Sequence, residues 1–352
     1  MAERILIAMS GGVDSSVAAY LLTRQGYDCA GATMRLWDDW SGNGCCTVED
    51  ARQAADRIGI THYTFSCYRE FAQQVVDPFR DAYLRGDTPN PCIRCNRYLK
   101  FGVLLEKARE LGFDAVATGH YARIRWTPST CRWAVRKGRE AGRDQSYFLS
   151  TLDQDQLAHA RFPLGDLSKA EVRRIAEEQG FASARKRDSQ DICFVPDGDY
   201  GAFLEYYTKT AFPSGEILDQ EGRVLGRHAG AVRYTLGQRK GLGVSFTERL
   251  YVCGKSMADN TVTLGPESAL YSRVLIGADW VWGAAAGLDG PTRVTVKARS
   301  RHREQEAVAE PLDGGRVRVV FDAPQRAVTP GQGVVLYQGD AVLGGGTIVG
   351  TE

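Results

Sequence analysis

Short apolar runs alternate with stretches of helical spacing along the first 120 residues. Ile5-Leu6-Ile7-Ala8-Met9 reads as a buried strand, and Val17, Leu21 and Leu22 share a face of a following helix that Gly26 stops. Residues 29–36 read as a second strand. Residues 47–58 read as a helix with Val48, Ala51, Ala54, Ala55 and Ile58 on one face, and 62–65 as a short strand. Residues 68–84 carry Phe71, Val75, Phe79 and Tyr83 at helical spacing, with Pro78 expected to bend or break the helix. The prolines of 87–95 (DTPNPCIRC) predict a loop. Residues 101–111 predict a helix ended by Gly112, and 115–117 a strand running into Thr118-Gly119-His120. Helices between hydrophobic strands imply right-handed βαβ crossovers: an α/β fold with a doubly wound parallel sheet that binds ligands at its carboxyl edge. Ser10, Met34 and Gly119 fall at or just past such strand ends.

Beyond residue 120 the pattern is mixed. Residues 121–126 and 131–137 predict a hairpin, and 167–180 a helix with Ser168 as N-cap and Glu171 completing a capping box. Residues 191–195 (DICFV) read as a short strand. From Phe212 glycine-rich turns separate short β runs at 224–226, 250–253, 261–264 and 274–276. Past Asp279 alternation is clear: Val294, Val296 and Ala298 alternate with Arg293, Thr295, Lys297 and Arg299, and Val317, Val319 and Phe321 follow the same rule. Evenly spaced short strands predict a small β-barrel. The expected organisation is a catalytic α/β domain over 1–210, a small β-rich central domain over 211–277 and a C-terminal barrel over 278–352.

At 352 residues the chain is too long for one ordinary core, which agrees with several domains. Lys plus Arg number 44 against 43 Asp plus Glu, so an RNA partner would have to be held by local patches. No apolar run is long enough to span a bilayer, and the N-terminus lacks a basic-then-apolar signal layout. With nine cysteines and no secretion signal, the expectation is a reducing cytoplasm and thiol or metal chemistry for some of them.

The chemistry starts after the first strand. In Ser10-Gly11-Gly12-Val13-Asp14-Ser15-Ser16, two glycines let a ligand approach the backbone, and the helix opened there presents unpaired N–H groups. Such a turn binds phosphate. It lacks the Gly-Lys-Ser/Thr ending of the Walker loop and resembles the pyrophosphate loop of the ATP pyrophosphatases. Cys92 and Cys95 stand in NPCIRCN, a spacing shared by redox pairs, half zinc sites and pairs of iron–sulfur ligands. No second Cys-x-x-Cys or His pair completes a zinc site. Cys193 follows the basic run Arg185-Lys186-Arg187 and Ser189, and nearby cations favour a thiolate. Cys29, Cys131 and Cys253 read as packing, and Cys45-Cys46 are unassigned.

Taken together, AMSGGVDSSVAAYLL, TPNPCIRCN, ATGHYAR, GRDQSYFLS, DSQDICF, YTLGQRKGLGV, VTPGQGVVLY and LGGGTI occur in the order of one family. Over nearly its full length the chain resembles the tRNA-specific 2-thiouridylases (the MnmA/TrmU family). The resemblance implies a sulfurtransferase with ATP and Mg²⁺ as cofactors. ATP adenylates the C2 oxygen of the wobble uridine, pyrophosphate leaves, and sulfur displaces AMP. It implies nucleotide contacts at Ala8, Met9, Ser10, Gly11, Gly12, Val13, Asp14, Ser15, Ser16, Met34 and Gly119, with Asp14 also catalytic. Cys95 matches the nucleophile position and Cys193 the persulfide-bearing one. Asn90, Pro91 and Cys92 match the loop approaching the target base; His120, Arg143, Asp144, Gln145, Arg299, Ser300 and Gln332 match tRNA-contacting positions. The implied partners are tRNAs for Lys, Glu and Gln and a sulfur donor, a cysteine desulfurase acting directly or through a relay protein.

One position departs from the family pattern. Many members carry Asp where this chain has Cys92. Three thiolates, Cys92, Cys95 and Cys193, could hold three irons of a 4Fe–4S cluster and leave one iron free to carry sulfide; Cys92 tilts the expectation toward that account. The competing account is a persulfide on Cys193 and a Cys95–Cys193 disulfide afterward. Local basic stretches offer RNA contacts: Arg132, Arg136, Lys137, Arg139 and Arg143; Arg173, Arg174 and 185–187; and Arg293, Lys297, Arg299, Arg301 and Arg303. Two other readings stand beside this one: a PP-loop ligase adenylating a small molecule, and an iron–sulfur redox-sensing RNA-binding protein.

Overall fold

Ile5, Leu6 and Ile7 are fully inaccessible to solvent, because their strand has a parallel neighbour on each side and helices on both faces. The computed structural model describes residues 2–37, 48–185, 192–195, 198–244 and 248–352. In it β1 (Arg4–Ala8) pairs with β2 (Asp28–Arg35), which pairs with β3 (Thr61–Ser66); on its other side β1 pairs with β4 (Ala115–Ala117). The chain then forms a hairpin, β5 (Ala122–Thr127) and β6 (Arg132–Lys137), before returning as β7 (Ala160–Arg161) beside β4. The five-stranded sheet is parallel with the order β3-β2-β1-β4-β7. Successive residues of β1 serve opposite cores. Ile5 and Ile7 pack with the helices α1 (Val13–Arg24) and α2 (Val48–Ile58), and Leu6 with the helices of residues 68–85 and 91–110. Cys45, Cys46, Thr47, Lys186, Arg187, Ser189 and Asp191 lie outside the described residues.

Three elements differ from the sequence expectation. Pro78 does not break its helix: Tyr68–Phe71 runs through a π-helical turn, Ala72–Val76, into Asp77–Arg85. Proline cannot donate to the carbonyl four residues back, that of Gln74. Arg94 Nε supplies the missing bond at 2.7 Å. The cysteines of NPCIRC are on a helix rather than a loop. Pro91 takes the first helical position, where its fixed φ fits and its missing N–H costs nothing. Asn90 caps that helix, its Oδ1 accepting from the Cys92 N–H at 3.2 Å. The helix continues as a nine-residue π segment, Cys95–Val103, and ends as Leu104–Glu110. Finally, Ile192–Val195 is a turn and not a strand, closed by Val195 N–H on the Ile192 carbonyl at 3.0 Å. Its apolar character comes from Phe194, which packs edge-on against Phe71, Phe79 and Phe203.

The β-rich half holds two sheets. The central one has the order β10-β11-β8-β9, from β8 (Gly215–Leu218), β9 (Val224–His228), β10 (Tyr251–Ser256) and β11 (Thr261–Gly265). The other is a closed antiparallel barrel of β12 (Tyr271–Trp282), β13 (Thr292–Lys297), β14 (Gln305–Leu312), β15 (Arg316–Arg326), β16 (Gly333–Gln338) and β17 (Ala341–Thr351); β17 pairs back onto β12. Val294, Val296, Val319 and Phe321 fill its interior, as the alternation predicts. The hairpin β5–β6 joins this barrel through the pair Ala341–Arg136, fastened by Arg136 to Asp340 at 2.6 Å. Among the described residues no helix is long and apolar enough to cross a membrane.

Candidate active site

The loop after β1 meets the loop after β4 at the point where strand order reverses, the crevice in which doubly wound sheets hold ligands. Gly11 has φ +78°, which a side chain would resist. Gly12 caps α1 without any side-chain bond, and the first intrahelical bond is Ser16 N–H to the Gly12 carbonyl at 3.2 Å. The N–H groups of Val13, Asp14 and Ser15 therefore have no partner within the helix. The serines brace the turn: Ser15 Oγ and Ser16 Oγ each donate to the Gly12 carbonyl at 3.0 Å, and Ser10 N–H donates to Ser15 Oγ at 3.2 Å. Thr33, next to Met34 on β2, donates to the Met9 carbonyl at 2.7 Å. Gly119 lies so close to this turn that a Cβ there would stand 2.7 Å from the Asp14 carbonyl carbon. Donor-rich backbone at a helix N-terminus fits the phosphates of ATP.

The Asp14 carboxylate is held by Lys169 Nζ at 2.8 Å from each oxygen and by the Tyr121 hydroxyl at 2.7 Å. Neither partner was singled out in the sequence. Lys169 begins the helix Lys169–Glu178, whose Ser168–Glu171 capping box forms as expected.

Cys92 and Cys95 share the first turns of the helix that Pro91 starts. Desolvation by the surrounding protein pushes the Cys92 thiol up to about 11, with Cys193 adding to the rise, although the residue keeps an exposed face. Burial pushes Cys95 up to about 12, opposed by Lys100 and reinforced by Cys193 and Cys92. The three sulfurs thus lie within electrostatic reach of one another although Cys193 comes from a distant segment. Lys100 also acts on His120, whose imidazole is held well below its ordinary value by burial first and this cation second. Lys100 therefore lies within electrostatic reach of both the thiols and His120. In an α-helix, residue i+5 would be turned roughly 140° away from residue i; the π segment, with Leu104 N–H bonded to the Leu99 carbonyl, brings i and i+5 one turn apart. Among the described residues no three His, Cys, Asp or Glu side chains converge as metal ligands. Without such a convergence the described residues give no support to a 4Fe–4S cluster.

Most of the positions expected to contact tRNA are tied to neighbouring segments by side-chain bonds. Gln332 Nε2 donates to the Thr88 carbonyl at 2.8 Å, beside Asn90, and Thr88 N–H donates to the Pro330 carbonyl at 2.9 Å. Gln145 Oε1 accepts from Tyr121 N–H at 2.8 Å, next to His120. Asp144, its side chain 3% exposed, accepts from Gly138 N–H and the Ser146 hydroxyl and pairs with Lys297 at 3.4 Å. Arg299 bonds the Thr329 hydroxyl, and its Nε is buried without a partner. Pro91 is buried; Ser300 is half-buried. Much of the basic surface is already paired: Arg293 with Asp322 and Glu306, Lys137 with Glu304, Arg136 and Arg123 with Asp340.

Comparison with known proteins agrees with this geometry. The family described as tRNA methyl transferase HUP domain matches residues 3–197, the PRC-barrel domain of the same series residues 201–266, and the aminomethyltransferase beta-barrel domain residues 272–348. The tRNA-specific 2-thiouridylase MnmA of Acetivibrio thermocellus is 45% identical, over 98% of this chain and 99% of its own. Those of Symbiobacterium thermophilum and Moorella thermoacetica are each 48% identical, over 99% and 97% of this chain and 92% and 98% of theirs. Pyrophosphate-loop sheet, paired thiols and closed barrel thus occur in one chain alignable end to end with these enzymes, and the chain belongs to the tRNA-specific 2-thiouridylase family.

Proposed function

We propose that this protein thiolates C2 of the wobble uridine in tRNAs for Lys, Glu and Gln at the expense of ATP. The observation that carries the reading is the phosphate loop closed against Gly119, next to His120, in a chain that also bears the Cys92–Cys95 helix and aligns end to end with 2-thiouridylases. Activation and sulfur delivery then act on one base. The loop from Met9 to Ser16 holds the triphosphate, with Ala8, Met34 and Gly119 around the nucleotide and Mg²⁺ neutralising charge when bound. The uridine C2 oxygen attacks the α-phosphorus, the α–β bond breaks and pyrophosphate leaves. A donor such as a cysteine desulfurase has loaded Cys193 as a persulfide. Its terminal sulfur attacks C2 and the bond to AMP breaks. The Cys95 thiolate, once its proton is lost, attacks Cys193 Sγ; the electron pair of the breaking S–S bond goes to the sulfur on the base. A dithiol reductant resets the resulting Cys95–Cys193 disulfide. The cluster account would need the three thiolates to converge, so no step is assigned to it.

The test is reconstitution with unmodified tRNA, ATP and a persulfide donor, reading 2-thiouridine by nucleoside mass spectrometry. Release of AMP and pyrophosphate is expected to require tRNA, and C95A, C193A and S10A to abolish thiolation. Turnover with a small acid or amine and no RNA would favour the ligase reading and sink this one. RNA binding that S10A leaves intact, with no 2-thiouridine formed by the wild-type protein, would favour the non-catalytic one.

A further inference from the structure

Lys169 is placed where a cation is costly. Its side chain is 7% exposed, and it is the first residue of its helix, at the positive end of the helix dipole. An apolar residue would suit both the burial and the dipole better, since a buried ion pair is weak as a purely stabilising device. The fold nevertheless directs it: Glu140 accepts from the Lys169 backbone N–H at 2.7 Å, and the Tyr121 ring lies 5.8 Å from the ammonium. The ammonium reaches both oxygens of Asp14, in the first turn of α1. Asp14 itself is 31% exposed, so it forms the open side of the pair and the lysine the closed side.

The position of Asp14 raises an electrostatic difficulty. A carboxylate stands among the backbone donors that are to receive a polyanion. Uncompensated, it would repel the incoming phosphates by kcal/mol-scale amounts at these distances. We propose that Lys169 is a positioning residue for the adenylation step. It fixes the Asp14 carboxylate in one orientation and cancels its charge, so that the loop after β1 meets the triphosphate as a donor surface. Tyr121 shares the orienting task through its bond to Asp14 Oδ1. The inference rests on the ATP-adenylating reading above.

The test is calorimetric binding of inorganic pyrophosphate and of AMP, without Mg²⁺, to the full-length protein. K169M is expected to weaken pyrophosphate binding about tenfold or more and to leave AMP unchanged. K169R, which keeps the charge, is expected to stay within about threefold of wild type. K169M/D14N removes both charges and is expected to recover most of the lost pyrophosphate affinity. A purely structural pair predicts instead a lower melting temperature with unchanged pyrophosphate affinity in K169M, and that result would overturn the proposal. Should K169M fold poorly, D14N alone decides: it is expected to bind pyrophosphate at least as tightly as wild type, and weaker binding refutes charge cancellation. Wild-type protein binding neither pyrophosphate nor ATP would refute the adenylating reading itself.

Discussion

Replacing Gly119 with alanine tests whether the phosphate loop depends on contact with the loop after β4. A Cβ at residue 119 would lie 2.7 Å from the Asp14 carbonyl carbon, 2.9 Å from its oxygen and 2.9 Å from the Ser15 nitrogen. Ordinary carbon–carbon contact is about 3.5–4.0 Å, so the start of α1 must retreat by about 0.8 Å. All three atoms are backbone, and Ser15 and Ser16 both tie that backbone to Gly12, so no flexible side chain absorbs the clash. Overpacking of this kind costs about 1–3 kcal/mol of stability. The larger effect falls on chemistry, where a misplacement near 1 Å costs on the order of a hundredfold in rate. The assay is tRNA-dependent AMP release and 2-thiouridine formation, with a thermal melt of the same sample. Gly287, whose Cβ would meet nothing within 4 Å, is the control, and G287A is expected to behave as wild type. G119A with wild-type AMP release would refute the argument that this contact sets the loop.

Cys95, half-buried, is expected to react slowly with iodoacetamide at neutral pH and faster as pH rises toward about 12; rapid alkylation of Cys95 at pH 7 would contradict the burial argument. Because folding raises the Cys95 thiol above the ordinary 9.0, the stability tied to it is complete below pH 9 and lost as pH climbs toward the folded value, which melts between pH 8 and 11 would show. R94A leaves the Gln74 carbonyl without its donor and is expected to cost about 1–3 kcal/mol by denaturant titration; P78A, which restores a main-chain donor, is expected to return part of it. Q332A removes the bond to Thr88, and hydrogen exchange at Thr88 N–H is expected to quicken while the barrel strands stay protected; unchanged exchange would show that the bond does not hold the loop.

The parallel sheet and the barrel were legible because local pattern dictates them: a buried strand before SGGVDSS, and strict alternation at Val294–Ala298. The cysteine helix was not, because Pro91 suits the first turn of a helix as well as an extended loop, and only the Asn90 cap decides between them. Ile192–Val195 misled through Phe194, whose apolarity serves a ring cluster and not a sheet. Lys169 lies 155 residues from Asp14, so no local pattern pairs them. Its one signal was a lysine directly after an N-cap serine, against the helix dipole. The three thiols fared similarly: NPCIRC and DSQDICF named the cysteines, but whether they converge depends on the packing of distant segments.

The attachment of the hairpin β5–β6 to β17 bears on how the enzyme could measure its RNA. β17 pairs with β16, β12 and β6, so the barrel is continuous by hydrogen bonds with a hairpin that springs directly from the end of β4. A second tie, Thr88 to Pro330 and Gln332, fixes the barrel to the segment just before the cysteine helix. Two fastenings at separate points remove the freedom to pivot that either alone would leave. If Arg299 and Gln332 hold RNA as the proposed function requires, the span from them to Cys95 would act as a gauge of set length. Substrate choice would then be partly a matter of fit: an RNA whose backbone is held at one end of the gauge must offer its uridine at the other, whatever its sequence between.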